Sequence, residues 1–260
     1  MQCDLNGKVA LVTGSARGIG LAIADRFASN GAIVIYSDVD TVELNKTVAE
    51  RDGVTGLELN VTDANQVQSV IKQVTEQFGK LDIVVNNAGI NTMKHRVTID
   101  EFPQYEWDRI ISVDLDGVYQ MSHHAAKVMK QQGGGRIINI ASIVGLVPLR
   151  LQCAFAAAKG GVVNLTKAMA IELGKDNILV NGIAPGSTLT DGTKQLFYGE
   201  DGSFSDRVQQ MLDHVPLGRP GSTDEIAVAA LFLADPENSY MNGHMLVVDG
   251  GWIAGYHREF

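Results

Sequence analysis

Cysteine is scarce. Cys3 and Cys153 are the only two in 260 residues, which excludes a disulfide framework or a cysteine metal site and leaves buried or inert thiols. No apolar run approaches the roughly 18 to 20 residues of a membrane span. The opening MQCDLNGKVALVTG lacks a basic stretch followed by a long apolar one, so no export signal or membrane partner is expected and the cytoplasm is the expected compartment. No long run of either charge sign occurs, and the net charge of −9 argues against nucleic acid as a partner. His95 has no companion at ligand spacing, so no metal is expected. There is no interdomain linker and no internal repeat. Residues 1–260 read as a single domain, with 45% hydrophobic residues to fill one core.

What is present is an alternation. Short apolar runs, KVALVTG, AIVIYSD, GLELNV, LDIVVNN, GRIINIAS, NILVNGIAPG and HMLVVDGG, are separated by segments of helical period at 18–30, 41–52, 63–79, 107–131, 152–174 and 223–235. Apolar runs with little polar alternation are strands buried on both faces, hence an α/β fold with a mainly parallel sheet between helical layers. Residues 187–222 are too long for an ordinary connection and are expected to form a substrate lid.

The first turn carries chemistry. TGSARGIG places Gly14, Gly18 and Gly20 between a strand and a helix, where the bare backbone and free helix N–H groups suit a pyrophosphate. The same glycines could also be packing devices. AIVIYSD then ends on Asp38, about twenty residues further on, where a carboxylate can accept from an adenosine ribose and repel a 2′-phosphate. The other reading of Asp38 is a helix cap, a task for which Asp40 and Thr41 are better placed. Arg17 could grip a 2′-phosphate, but Val39 supplies no second basic group, so NAD is favoured over NADP.

TGSARGIG, NNAG at 86–89, Ser142 in NIASIVG, Lys159, APGSTLT at 184–190 and VVDGGW, in this order over nearly the whole chain, resemble the short-chain dehydrogenase/reductase family. The resemblance implies a Rossmann-like, doubly wound parallel sheet of seven strands with helices on both faces, a nicotinamide cofactor and a homotetramer. It also implies roles. Gly14, Arg17, Gly18, Ile19, Gly20 and Asp38 would take the adenosine and diphosphate end, with Asn60 and Val61 near the adenine. Asn87, Ala88 and Gly89 would line the ribose side, Lys159 would hold the nicotinamide ribose, and Pro185, Gly186, Thr188 and Thr190 would flank the nicotinamide and diphosphate.

Two positions depart from the family's Asn–Ser–Tyr–Lys catalytic set: Asp114 stands where Asn is usual and Phe155 where Tyr is usual, while Ser142 and Lys159 are kept. A phenol is a proton carrier with an unperturbed pKa near 10; phenylalanine keeps the ring and deletes the proton. Asp114 could hold a relay water as the family's Asn does, or be a buried carboxylate satisfied by backbone donors. Three origins of Phe155 stand open: an introduced isosteric Tyr→Phe change, a natural pseudoenzyme that binds dinucleotide without turnover in a regulatory or sensing role, or an active variant with another donor, Tyr198 included.

For the substrate end, Arg150 and Gln152 precede Phe155, and Lys94, His95 and Arg96 follow NNAG on a loop that borders the pocket by family analogy. The basic loop could attract a carboxylate, or be a solvated or intersubunit surface. Arg150 and Gln152 suit a sugar, polyol or hydroxy acid more than a steroid or a long acyl chain. The expected activity is therefore an NAD-dependent alcohol or sugar dehydrogenase of carbohydrate metabolism, impaired by Phe155. The apolar residues of 152–174 fit subunit pairing by family analogy, or simple core packing.

Overall fold

The computed structural model describes residues 3–92, 94–190, 204 and 206–255. Seven parallel strands form one sheet in the order β3-β2-β1-β4-β5-β6-β9: β1 Val9–Thr13, β2 Ile33–Asp38, β3 Thr55–Glu58, β4 Ile83–Asn86, β5 Gly135–Ile140, β6 Ile178–Pro185 and β9 Met245–Val248. The order reverses direction between β1 and β4, and that gap at the carboxyl ends is where open α/β sheets bind ligands. This is the Rossmann-like fold expected from the sequence.

Side chains alternate across the sheet. Ala10, Val12, Val34, Tyr36, Ile138 and Ile183 face α1 (Gly18–Ala28) and α8 (Thr223–Ala234). Val9, Leu11, Ile35, Val84, Ile137 and Val180 face α3 (Ala64–Phe78), α5 (Gly117–Gln132) and α6 (Cys153–Leu173). Both faces are covered, which is why the central strands read as continuous apolar runs. Asp40 caps α2 (Thr41–Ala49) by accepting from the Glu43 N–H at 3.1 Å, as the sequence indicated.

The expected helix at 107–131 needs correction. It begins earlier, as α4 (Gln104–Ile111), and passes through a π turn at Ser112–Asp116 before continuing as α5. A hydrophobic pattern does not reveal a single wide turn, since the burial stripe runs on through it. Residues 191–203 and 205 of the expected lid lie outside the described residues; the rest holds a two-strand ladder, β7 (Thr188–Leu189) with β8 (Gly221–Ser222), and α7 (Asp206–Leu212). Val208, Leu212 and Val215 there pack with Leu189 and Trp252 in a small cluster apart from the main core. Tyr198 lies outside the described residues. No helix among those described is long and apolar enough to cross a membrane, and none of their acidic, His or Cys groupings could hold a metal ion. Cys3 is buried and its thiol is pushed up to about 11, chiefly by burial; Cys153 is half-buried at the start of α6.

Candidate active site

The glycine turn opens α1 at the carboxyl end of β1. Gly14 and Gly18 both sit at φ +63°, a left-handed conformation that a β-carbon disfavours. A β-carbon on Gly14 would meet Ala88 Cα at 2.8 Å, and one on Gly20 would run into Gly14 O and the Asn87 amide. Ser15 fixes the turn to β2: the Ser37 N–H donates to Ser15 Oγ at 2.8 Å, and the Ser15 N–H donates to Ser37 O at 3.0 Å. The N-terminus of α1 has no side-chain cap and no acidic residue in its first turn, so its N–H groups suit an anion. Ile19 is half-buried against the core.

Asp38, at the end of β2, accepts from the Ala16 N–H at 3.2 Å and the Asp40 N–H at 3.0 Å. Its carboxylate is thereby held beside the turn. Arg17 is exposed and pairs with Asp40 at 3.1 Å. Thr190 lies over the turn, its Cγ2 3.6 Å from where a Gly18 β-carbon would be. Thr188 donates to Gly186 O at 3.3 Å, and the Gly186 N–H donates to Val248 O at 2.9 Å beyond Pro185, so this end of β6 is tied to β9.

The NNAG segment is bolted to the same turn. The Asn87 amide donates to Thr13 O and Gly14 O, both at 2.9 Å, while Thr13 Oγ1 accepts from the Asn87 and Ala88 N–H groups at 3.0 Å. Asn87 thus spends its amide N–H groups on the wall. Asn60 likewise uses its side-chain oxygen locally, accepting from the Thr62 N–H and hydroxyl at 3.0 and 2.8 Å. The Val61 side chain is buried against Gly117. Toward an adenine, Val61 can therefore offer backbone only.

Two elements build the other end of the site. Ser142 follows β5 and accepts from the Val144 N–H at 3.2 Å, which leaves its own proton to donate forward. Lys159, on the second turn of α6, is 4% exposed and Asp114, in the π turn, is fully buried. Lys159 Nζ stands 3.1 Å from Asp114 Oδ2, donates to Ile140 O at 3.2 Å and lies 5.6 Å from the centroid of the Phe155 ring. Asp114 Oδ1 accepts from the Ile90 N–H at 2.8 Å; Oδ2 meets the ammonium as a charge contact without an aligned hydrogen bond. Burial pushes the Asp114 carboxyl above its ordinary range, against the pull of Lys159. Gly89 makes room for the pair: a β-carbon there would sit 3.1 Å from Asp114 Oδ2 and 3.2 Å from Lys159 Nζ. Asp114 is thus a buried carboxylate with one oxygen on a backbone N–H and the other beside an ammonium.

At the substrate end the residues divide. Gln152 is buried and accepts from the Asn91 amide at 3.2 Å, whereas Arg150 and Lys94 are exposed. Leu151 between Arg150 and Gln152 is left-handed, at φ +64°, a reversal that turns the chain into α6. His95 Nε2 is 2.9 Å from the Tyr105 hydroxyl, and Arg96 donates to Thr92 O at 3.2 Å. The basic loop is therefore fastened to α4 and to itself.

The family model described as enoyl-(acyl carrier protein) reductase matches residues 14–253, from the first glycine of the turn past the last strand of the sheet. The chain belongs to the short-chain dehydrogenase/reductase family. This short-chain dehydrogenase/reductase is 38% identical over 254 residues to 3-oxoacyl-[acyl-carrier-protein] reductase FabG of Thermotoga maritima, covering 96% of this chain and 99% of that protein. It is 39% identical over 252 residues to the 3alpha-hydroxysteroid dehydrogenase of Mediterraneibacter gnavus, covering 95% of this chain and 97% of the relative. Its fold matches the crystal structure of gox2181 with a TM-score of 0.90 at 31% identity, over 97% and 98% of the two chains. It is an oxidoreductase of a family that binds a nicotinamide dinucleotide. The residues present fit that group: two left-handed glycines, an uncapped helix N-terminus and an acidic residue closing β2 all meet at one crevice.

Sequence reasoning missed the supports of this short-chain dehydrogenase/reductase site: Thr13, Ser15, Ile90 and Ile140. The last two act through backbone atoms, which leave no residue-type signal. Thr13 and Ser15 are small hydroxyl residues in a strand end and a turn, where their composition looks ordinary.

Proposed function

We propose that the chain binds NAD in the crevice between β1 and β4 and acts on the secondary alcohol or ketone of a polar acyl compound, a 3-oxoacyl or hydroxy acid derivative. The reading rests on one observation: the Lys159–Asp114 pair, Ser142 and Phe155 gather at the end of β5, on the same edge of the sheet as the glycine turn. The named relatives act on a 3-oxoacyl chain and a 3-hydroxysteroid. They lend no support to the sugar or polyol expected from the sequence, and the Asn91–Gln152 amide pair supplies donors and acceptors for a carboxyl or thioester carbonyl. Asp38 beside the turn, with Arg17 already paired to Asp40, supports NAD over NADP. Exposed Tyr119 on α5 and Ile171 on α6 support self-association through these helices, a homotetramer on the family pattern.

Bound nicotinamide would supply the hydride. Ser142 would donate to the substrate oxygen, with its own oxygen anchored by the Val144 N–H. Lys159 would hold the ribose. Phe155 would flank the substrate without a proton to give. Losing a positioned general acid costs about 10²- to 10⁴-fold, so the chain is expected to be a slow catalyst. That missing proton also favours a second reading, a dinucleotide-binding protein without turnover.

The test is hydride transfer, followed as NADH absorbance, for this chain and for Phe155→Tyr against 3-oxoacyl thioesters, hydroxy acids and sugars. A gain of about 10² or more in the Tyr variant on acyl substrates supports the enzyme reading. Silence in both proteins alongside NADH binding supports the binding protein. Asp38→Asn should reduce the preference for NAD, read as the ratio of NADPH to NADH dissociation constants in calorimetric titration; an unchanged ratio would remove Asp38 from nucleotide choice.

A further inference from the structure

The two departures from the family's catalytic set fall on one lysine. Lys159 Nζ meets Asp114 at 3.1 Å, Ile140 O at 3.2 Å and the Phe155 ring at 5.6 Å from its centroid. Its side chain is 5% exposed and that of Asp114 is wholly buried, so neither charge is well served by water. A buried ion with its partner removed is strongly destabilising, whereas the intact pair is close to neutral in cost. With a tyrosine at 155, a hydroxyl would share the space in front of the ammonium, and an uncharged Asn at 114 could suffice behind it. With phenylalanine at 155 that space is hydrocarbon, and neutral groups alone would leave the ammonium without a counter-ion among the described residues. Asp114 fills that gap. The other charged group that acts on Asp114 is Arg109 on α4, which is engaged by Glu106 at 2.8 and 2.9 Å.

We propose that Asp114 and Phe155 form one compensated change, in which Asp114 is a positioning residue that supplies the fixed counter-ion of Lys159 in place of the hydroxyl missing at 155. On this account the ammonium keeps its place for the dinucleotide ribose although the proton carrier is gone. A lone Tyr→Phe exchange in an otherwise ordinary site is then the wrong description of the chain. Gly89 belongs to the same unit, because any side chain there would press on both charges.

The binding part rests on the reading of Lys159 as a ribose-holding residue; the folding part does not. The experiment is a two-by-two set: this chain, Asp114→Asn, Phe155→Tyr and the double variant. Each is measured by urea unfolding and by calorimetric titration with NADH, neither of which needs turnover. In the Phe155 chain, Asp114→Asn is expected to lower the folding equilibrium constant by about 10²- to 10³-fold and to weaken NADH binding. In the Phe155→Tyr background the same change is expected to cost less than about tenfold in folding, so that Phe155→Tyr rescues Asp114→Asn. A merely structural carboxylate would show no such rescue. If Asp114→Asn is too unstable to purify, a folded double variant supports the proposal, and a double variant that is equally unfolded overturns it. Equal losses in both backgrounds, or no loss in the Phe155 chain, also overturn it. Should none of the four proteins bind NADH, the dinucleotide reading fails and the urea data still decide the coupling.

Discussion

The two ends of the site are held together by different physics. At the nucleotide end, apart from Asp38 and the Arg17–Asp40 pair, the supports are neutral: Thr13, Ser15, Ser37 and Asn87 exchange hydrogen bonds with one another and with backbone. At the other end the support is a buried ion pair, Lys159 with Asp114, facing a hydrocarbon ring. Neutral groups that satisfy one another need nothing from a ligand, and removing one costs a few unmade hydrogen bonds. Buried charges depend strongly on each other, and the loss of either leaves the other with an uncompensated desolvation cost. The nucleotide cradle is therefore expected to tolerate change better than the lysine end.

The sharpest way to break that comparison is Lys159→Met, which keeps the length of the stem and deletes the charge. Asp114 would be left with the Ile90 N–H alone, and unfolding free energy in urea should fall by about 3–5 kcal/mol. Thr13→Val is the matched change at the neutral end. It removes the oxygen that serves the Asn87 and Ala88 N–H groups, with an expected loss of about 1–3 kcal/mol by the same measurement. A loss from Thr13→Val as large as that from Lys159→Met would mean that charge is not what distinguishes the two ends.

A smaller effect sharpens the comparison with an ion pair outside the site. Glu106 in α4 accepts from two Arg109 nitrogens, Nε and Nη2, and this guanidinium, with help from the Thr92 hydroxyl, lowers its carboxyl to about 2. A folded value below the unfolded one, about 4.3, means that the pair stabilises fully above that pH and loses its contribution as pH falls through about 2. Glu106→Gln should leave a flatter acid limb in urea midpoints taken at about pH 7, 4 and 2.5. An acid limb unchanged by the substitution would show that the pair does not contribute.

Much of this was legible beforehand, and the reason differs by element. The strands at Val9–Thr13, Ile33–Asp38 and Gly135–Ile140 announce themselves because burial on both faces leaves no polar alternation. The glycine turn and Asp38 are readable because their chemistry constrains residue type. Phe155 and Asp114 were visible as departures, and Phe155, four residues before Lys159, as its neighbour on one helix face, but the charge contact of Asp114 with the same ammonium was not. That contact depends on the approach of α6 to the π turn; the family resemblance implies a helix kink at Asp114, but nothing in the hydrophobic pattern of residues 112–116 gives its form. The substrate end was least legible: Lys94, His95 and Arg96 looked like a cluster, and the fold fastens His95 to Tyr105 and Arg96 to Thr92.

The π turn also bears on how such a site can be gained or lost. Ile110 before it and Met129 after it are both fully buried, and their numbers differ by one more than the 18 residues that make about five whole α-helical turns. A π turn takes up one surplus residue, so the helix on either side stays in phase with its packing partners. Deleting one residue between 112 and 116 would restore a regular helix with Ile110 and Met129 still aligned. The carboxylate opposite Lys159 thus sits on the one described turn of this helix that carries a surplus residue.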